Sequence, residues 1–135
     1  MPKRNDIEHI EQAAFIQWCR MQTTADRYPG IEMAFAIPNG GKRGIAVAVK
    51  MKAEGTLRGV PDLFIPVPIC NYHGAFIEMK APGGSTSKEQ NEFIAFLQDK
   101  CYFVRVCYGF VQAMKAVDDY YCDPGVTKLF ESERE

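Results

Sequence analysis

Apolar positions recur at helical spacing near the start of the chain. Ile7, Ile10, Ala14, Trp18 and Met21 predict an amphipathic helix from about Asp6 to Met21 with one buried stripe. Glu8 and Gln12 lie four apart on a neighbouring face, and Glu11 is close to both. Tyr28-Pro29-Gly30 ends the connection that follows. Glu32 to Ile37 alternates, which predicts a short strand broken by Pro38-Asn39-Gly40-Gly41. Residues 42–54 are small, basic and weakly helical, and Gly55 suits a helix C-terminus. Pro61 to Val67 and Gly74 to Lys80 predict two strands, joined as a hairpin through Cys70-Asn71-Tyr72-His73. Ala81-Pro82-Gly83-Gly84 stops the sheet. Ser87-Lys88-Glu89-Gln90 has the form of a capping box and opens a helix to about Lys100, with Phe93, Phe96 and Leu97 facing inward. Tyr102 to Tyr108 is rich in aromatic and β-branched residues and predicts a strand. A last helix is expected from Phe110 to about Tyr121, with Val111, Met114 and Val117 as its core face. The order α-β-α-β-β-α-β-α predicts an α/β fold with a central mixed β-sheet flanked by helices.

At 135 residues the chain fits a single domain, with a core expected over about residues 6–121 and a charged tail over 122–135. No apolar run approaches the roughly 20 residues needed to span a bilayer. Glu8 and Glu11 interrupt any signal-peptide apolar region, so an intracellular, cytoplasmic location is expected. The five cysteines (Cys19, Cys70, Cys101, Cys107, Cys122) are odd in number and form no Cys-x-x-Cys pair, which predicts free thiols. The formal net charge of −1 hides an uneven distribution. Residues 42–88 carry seven basic side chains against three acidic ones, and residues 89–135 carry five against nine. A basic central third suits phosphate contact better than the total suggests.

The candidate chemistry lies in that third. Asp62 opens a hydrophobic strand just after a glycine-containing turn, and Glu78-Met79-Lys80 closes the next one. Strand side chains alternate, so Glu78 and Lys80 project together while Met79 turns towards the core. If the two strands pair, Asp62 meets Glu78 at a common edge. Two carboxylates and the Met79 backbone carbonyl would leave room for waters around Mg²⁺. Such an ion polarises a phosphate and lowers the pKa of a bound water, and Lys80 would sit beside that water. These residue types point to metal-dependent cutting of phosphodiesters. A lone Glu-x-Lys is common, and by itself it describes an exposed ion pair on a strand face. The conjunction with Asp62, the capped helix bearing Gln90 and the preceding basic, glycine-rich segment carries the reading. His9 and His73 are read as incidental. Gly40-Gly41-Lys42 lacks the spacing and the Ser/Thr of a P-loop.

Pro61-Asp62…Glu78-x-Lys80 resembles the motif of the PD-(D/E)XK nuclease superfamily. More narrowly, Gly59-Val60-Pro61-Asp62-Leu63, Phe76-Ile77-Glu78-Met79-Lys80 and Ser87-x-x-Gln90 resemble the VRR-NUC group. The Asn39-Gly40-Gly41-Lys42-Arg43 loop, the Tyr102–Val106 strand and the first helix with Glu8 and Gln12 fit it as well. The resemblance implies a restriction-endonuclease-like αβββαβ core with one inserted helical segment at 42–54. It implies metal ligation by Asp62, Glu78 and the Met79 carbonyl, Lys80 as the catalytic lysine, and Gln90 as a support near the scissile phosphate. Glu8 would complete the metal shell, directly or through water, with Glu11 as its rival. Asn39, Gly41, Lys42, Arg43, Arg58 and Lys88 would contact nucleic acid. The group's valine-arginine-arginine signature is reduced here to Arg58 before Gly59 and Val60 after it. Stand-alone members are often phage or mobile-element proteins, which would place this one in a host cytoplasm. They imply a Mg²⁺-dependent endonuclease, with Mn²⁺ as a substitute, that acts on branched or four-way-junction DNA as a homodimer. A junction-binding module without catalysis is the alternative on the same fold.

Overall fold

The computed structural model describes residues 3–22, 27–38 and 44–121. In chain order the elements are α1 (Arg4–Arg20), β1 (Phe35–Ala36), α2 (Ile45–Ala53), β2 (Leu63–Ile65), β3 (Ala75–Met79), α3 (Lys88–Asp99), β4 (Phe103–Cys107) and α4 (Phe110–Tyr121). The sheet runs β1-β2-β3-β4. Its first two pairings are antiparallel and β3–β4 is parallel, so the sheet is mixed as expected. The Asn39–Arg43 loop and the 122–135 tail lie outside the described residues.

One face of the sheet makes the core. Leu63, Ile65, Ala75, Ile77 and Met79 alternate onto it and meet Phe15 and Cys19 of α1 and Ala113, Ala116, Val117 and Tyr120 of α4. Fully burying a large apolar side chain stabilises by about 1.5–3 kcal/mol, so this cluster dominates the fold. The Tyr120 hydroxyl is satisfied inside it by donating to the Val67 carbonyl at 2.5 Å. Cys19 and Cys107 are buried free thiols, each pushed up to about 12 by burial. On the other face Phe64 and Phe76 stack with ring centroids 4.6 Å apart. The helix α3 links the parallel strands β3 and β4 and packs on β4.

Three expected core stripes are corrected. In α1 the buried residues are Phe15 and Cys19; Trp18 packs half-buried against the core as expected, while Ile10 and Met21 face solvent. Continued towards the N-terminus, the buried face carries Gln12, Glu11 and Glu8. In α4 the core face is Ala113, Ala116, Val117 and Tyr120, and Val111 is exposed. In α3 Leu97 is buried but Phe96 is exposed. The strand expected over Glu32–Ile37 shrinks to Phe35–Ala36, because Ile31–Met33 forms a 3₁₀ turn. Its buried residues, Ile31 and Ala34, are three apart, the period of that turn and not of a strand. Arg20 fixes the turn by donating to the carbonyls of Glu32 and Ala34, both at 2.5 Å.

The helix α2 is as the sequence predicts but unlike the others, since none of its residues is buried. It ends in a Schellman motif. Gly55, at φ +108, donates to Lys52, and Thr56 donates to Met51 at 2.9 Å.

Candidate active site

The antiparallel register places the two acids. Leu63 pairs with Ile77 and Phe64 with Phe76, so one further step sets Asp62 opposite Glu78. Phe64 and Phe76 occupy a non-hydrogen-bonded pair position, and Asp62 and Glu78 fall on the next one of the same face. Side chains approach most closely at such positions, so the sheet itself drives the two carboxylates together.

Glu78 is only 3% exposed. Its Oε1 accepts from Gln90 Nε2 at 3.0 Å and lies 3.7 Å from Lys80 Nζ. Its Oε2 is buried with no partner. The Asp62 Oδ2 accepts from the Met79 N–H at 2.8 Å. Burial, reinforced by the Asp62 charge, pushes the Glu78 carboxyl up to about 8. Asp62 is also raised by burial, against the Met79 N–H, the neighbouring Glu78 carboxyl and Lys80, with Glu8 raising it further. A buried glutamate with one unpaired oxygen, set opposite a half-buried aspartate, fits a hard cation. Among the described residues no three His, Cys, Asp or Glu side chains gather into a metal site. The groups here that could hold an ion are Asp62 and Glu78, with the Met79 carbonyl as a neighbouring backbone oxygen.

Gln90 ties the site to α3. Its Oε1 accepts from Lys80 Nζ at 3.0 Å and from the Ser87 N–H at 2.8 Å. The Ser87 Oγ in turn accepts from the Gln90 N–H at 3.1 Å, which completes the expected capping box. One amide thus caps a helix, orients the lysine and donates to the buried acid. Gly59 lets α3 come this close. It adopts φ +94, and a Cβ there would fall 2.6 Å from the Glu89 carbonyl oxygen.

The two acids of α1 have different duties. Glu8 Oε1 accepts from the Ala81 N–H at 3.2 Å, immediately after Lys80. Glu11 Oε2 accepts from the Phe110 N–H at 2.7 Å and so holds the first turn of α4. Glu8 therefore stands beside the candidate site, while Glu11 is engaged in the fold. The Ala81 N–H that fixes Glu8 carries no signal in the sequence, since any residue but proline supplies one. Arg58 and Lys88 are exposed, and the contact between Gly59 and Glu89 sets them at one corner near the site. Asn39, Gly41, Lys42 and Arg43 lie outside the described residues. Both histidines are exposed, and His73 packs its ring near Tyr102.

A mixed sheet whose two central strands bring together a buried glutamate, a half-buried aspartate, a lysine and a glutamine fits a protein of nuclease type. A family model of the VRR-NUC domain matches residues 6–111, and the chain belongs to that family. Membership brings a nuclease-type, DNA-processing function. A solved VRR_NUC domain protein is similar at 27% identity over 84% of this chain and 86% of that one, with a TM-score of 0.69. Among curated proteins none matches. Among the described residues no helix is long and apolar enough to cross a membrane.

Proposed function

We propose that the chain is a Mg²⁺-dependent, structure-selective endonuclease that hydrolyses phosphodiester bonds in branched DNA, four-way junctions above all, as a homodimer. The buried Glu78 Oε2 without a partner, opposite Asp62, is the observation that carries the metal-dependent part. A bound Mg²⁺ supplies Lewis acidity at the phosphate and a more acidic water. On this reading Lys80 hydrogen-bonds the attacking water or a phosphate oxygen, and its tether to Gln90 supports that role. Glu8, on the same reading, orients a water of the metal shell, which its bond to the Ala81 N–H next to Lys80 supports. Arg58 and Lys88 hold the DNA backbone beside the site, and Mn²⁺ substitutes for Mg²⁺.

The exposed helix α2 supports the homodimer. Ile45 is 85% and Val49 63% exposed, and the first five residues of the helix are all apolar. A helix of nine residues rich in β-branched side chains is marginal alone in water, so it needs cover. A second copy supplies it, with Ala46 and Ala48 allowing close approach, and a twofold axis pairs two sites for the two strands of a junction.

The test is cleavage of a labelled four-way junction in Mg²⁺. The Lys80→Ala variant should lose at least about a hundredfold in rate, the scale of a lost water-activating group. Equal cleavage by both proteins removes the mechanism. Tight junction binding by the wild type with no cleavage in Mg²⁺ or Mn²⁺ favours the silent binding module.

A further inference from the structure

The backbone around Met79 departs from a regular sheet at one point. In the parallel pairing Met79 is opposite Cys107, and the flanking Lys80 N–H donates to the Cys107 carbonyl at 2.9 Å. The Phe103 N–H likewise donates to Gly74, at the far end of the same ladder. Backbone groups alternate sides along a strand, so Gly74, Phe76, Glu78 and Lys80 serve β4. Ala75, Ile77 and Met79 therefore direct both N–H and C=O towards β2. On β2 the alternation runs the same way. The Asp62 carbonyl accepts from the Ile37 N–H at 2.7 Å on the β1 side, so position 61 faces β3. A continued ladder would set residue 61 opposite Met79, with each N–H donating to the other's carbonyl.

Neither bond of that pair is made in the regular way. The Met79 N–H goes to the Asp62 carboxylate. Residue 61 is a proline and has no N–H to offer the Met79 carbonyl. Pro61 is also fully buried, which limits the water that could replace the missing donor.

We propose that Pro61 is a positioning residue whose missing N–H keeps the Met79 carbonyl available as an oxygen ligand beside Asp62 and Glu78. The proposal rests on the metal-binding reading of this site. With any other residue the ladder could close, and the sheet would compete with the cation for that oxygen.

Two variants separate the missing N–H from the shape of the ring. Pro61→Ala restores a donor. Lactic acid placed at position 61 has alanine's side chain but joins Val60 through an ester, so it has no N–H. Calorimetric titration with Mn²⁺ and amide exchange at position 61 are the readouts. Pro61→Ala should bind Mn²⁺ about tenfold more weakly, the equivalent of one net hydrogen bond. Its new amide should exchange slowly in the metal-free protein, and the ester variant should bind within about twofold of wild type. A freely exchanging amide, unchanged Mn²⁺ affinity in Pro61→Ala, or an ester as weak as the alanine overturns the proposal. A wild-type protein that binds no Mn²⁺ overturns the metal reading itself, whatever the amide does.

Discussion

Replacing Glu78 by glutamine should stabilise the metal-free protein while abolishing cleavage. Glu78 is almost fully buried, has one oxygen without a partner and faces Asp62. Its carboxyl is pushed from the ordinary 4.5 up to about 8, by burial first and by Asp62 second. A folded-state value above the unfolded one means that folding takes up a proton. The contribution of Glu78 to stability is then greatest below about 4.5 and is lost as pH rises through about 8. At about 1.4 kcal/mol per tenfold change, the full gap is on the order of 4 kcal/mol at pH 8. Relaxation of the site around the charged carboxylate reduces the effect, so about 2 kcal/mol is expected. Glutamine keeps the shape and the acceptor for Gln90, and loses only the 3.7 Å contact with Lys80. Glu78→Gln should therefore be more stable than wild type by about 1–2 kcal/mol at pH 8 and nearly equal to it at pH 5. Urea denaturation in EDTA at pH 5, 7 and 8 measures this. In Mn²⁺ the order should reverse, because the ion stabilises only the protein that binds it. A wild-type stability flat from pH 5 to 8, or a variant less stable than wild type at pH 8 without metal, refutes the reasoning.

Two further outcomes are expected. Gly59→Ala should cost about 2–3 kcal/mol in chemical denaturation, since it strains a left-handed residue and drives a Cβ against the Glu89 carbonyl. It should also slow junction cleavage by moving Gln90, and a change under about 0.5 kcal/mol would sink the account of how α3 reaches the acids. Val47→Glu combined with Val49→Glu should yield a monomer by analytical ultracentrifugation, with junctions nicked on one strand instead of cut in pairs. A dimer that persists in this variant excludes α2 as the interface, and a monomeric wild type excludes the homodimer.

What could be read from the sequence, and what could not, follows from how far each signal reaches along the chain. The capping box at Ser87–Gln90 is decided within four residues, and it formed as written. The strands around Asp62 and Glu78 are one hairpin, so their meeting depends on a single register and not on distant packing. The buried faces of the helices depend on which neighbour each one meets, and there the pattern misled. Both α1 and α4 carry a second apolar stripe, and periodicity cannot say which of two stripes is covered. In α1 the true inner face begins with Glu8 and Glu11 and becomes apolar only at Phe15 and Cys19. Two carboxylates at its start made it resemble a solvent face, while Ile10 and Met21 offered a cleaner stripe outside. Yet those carboxylates are engaged inside the fold: Glu8 takes the amide after Lys80, and Glu11 takes the first amide of α4. The hydrophobic pattern of α1 is broken where the helix offers carboxylates to those two backbone amides. Local rules give way where a side chain makes a tertiary hydrogen bond instead of an apolar contact, and here that happens at both Glu8 and Glu11.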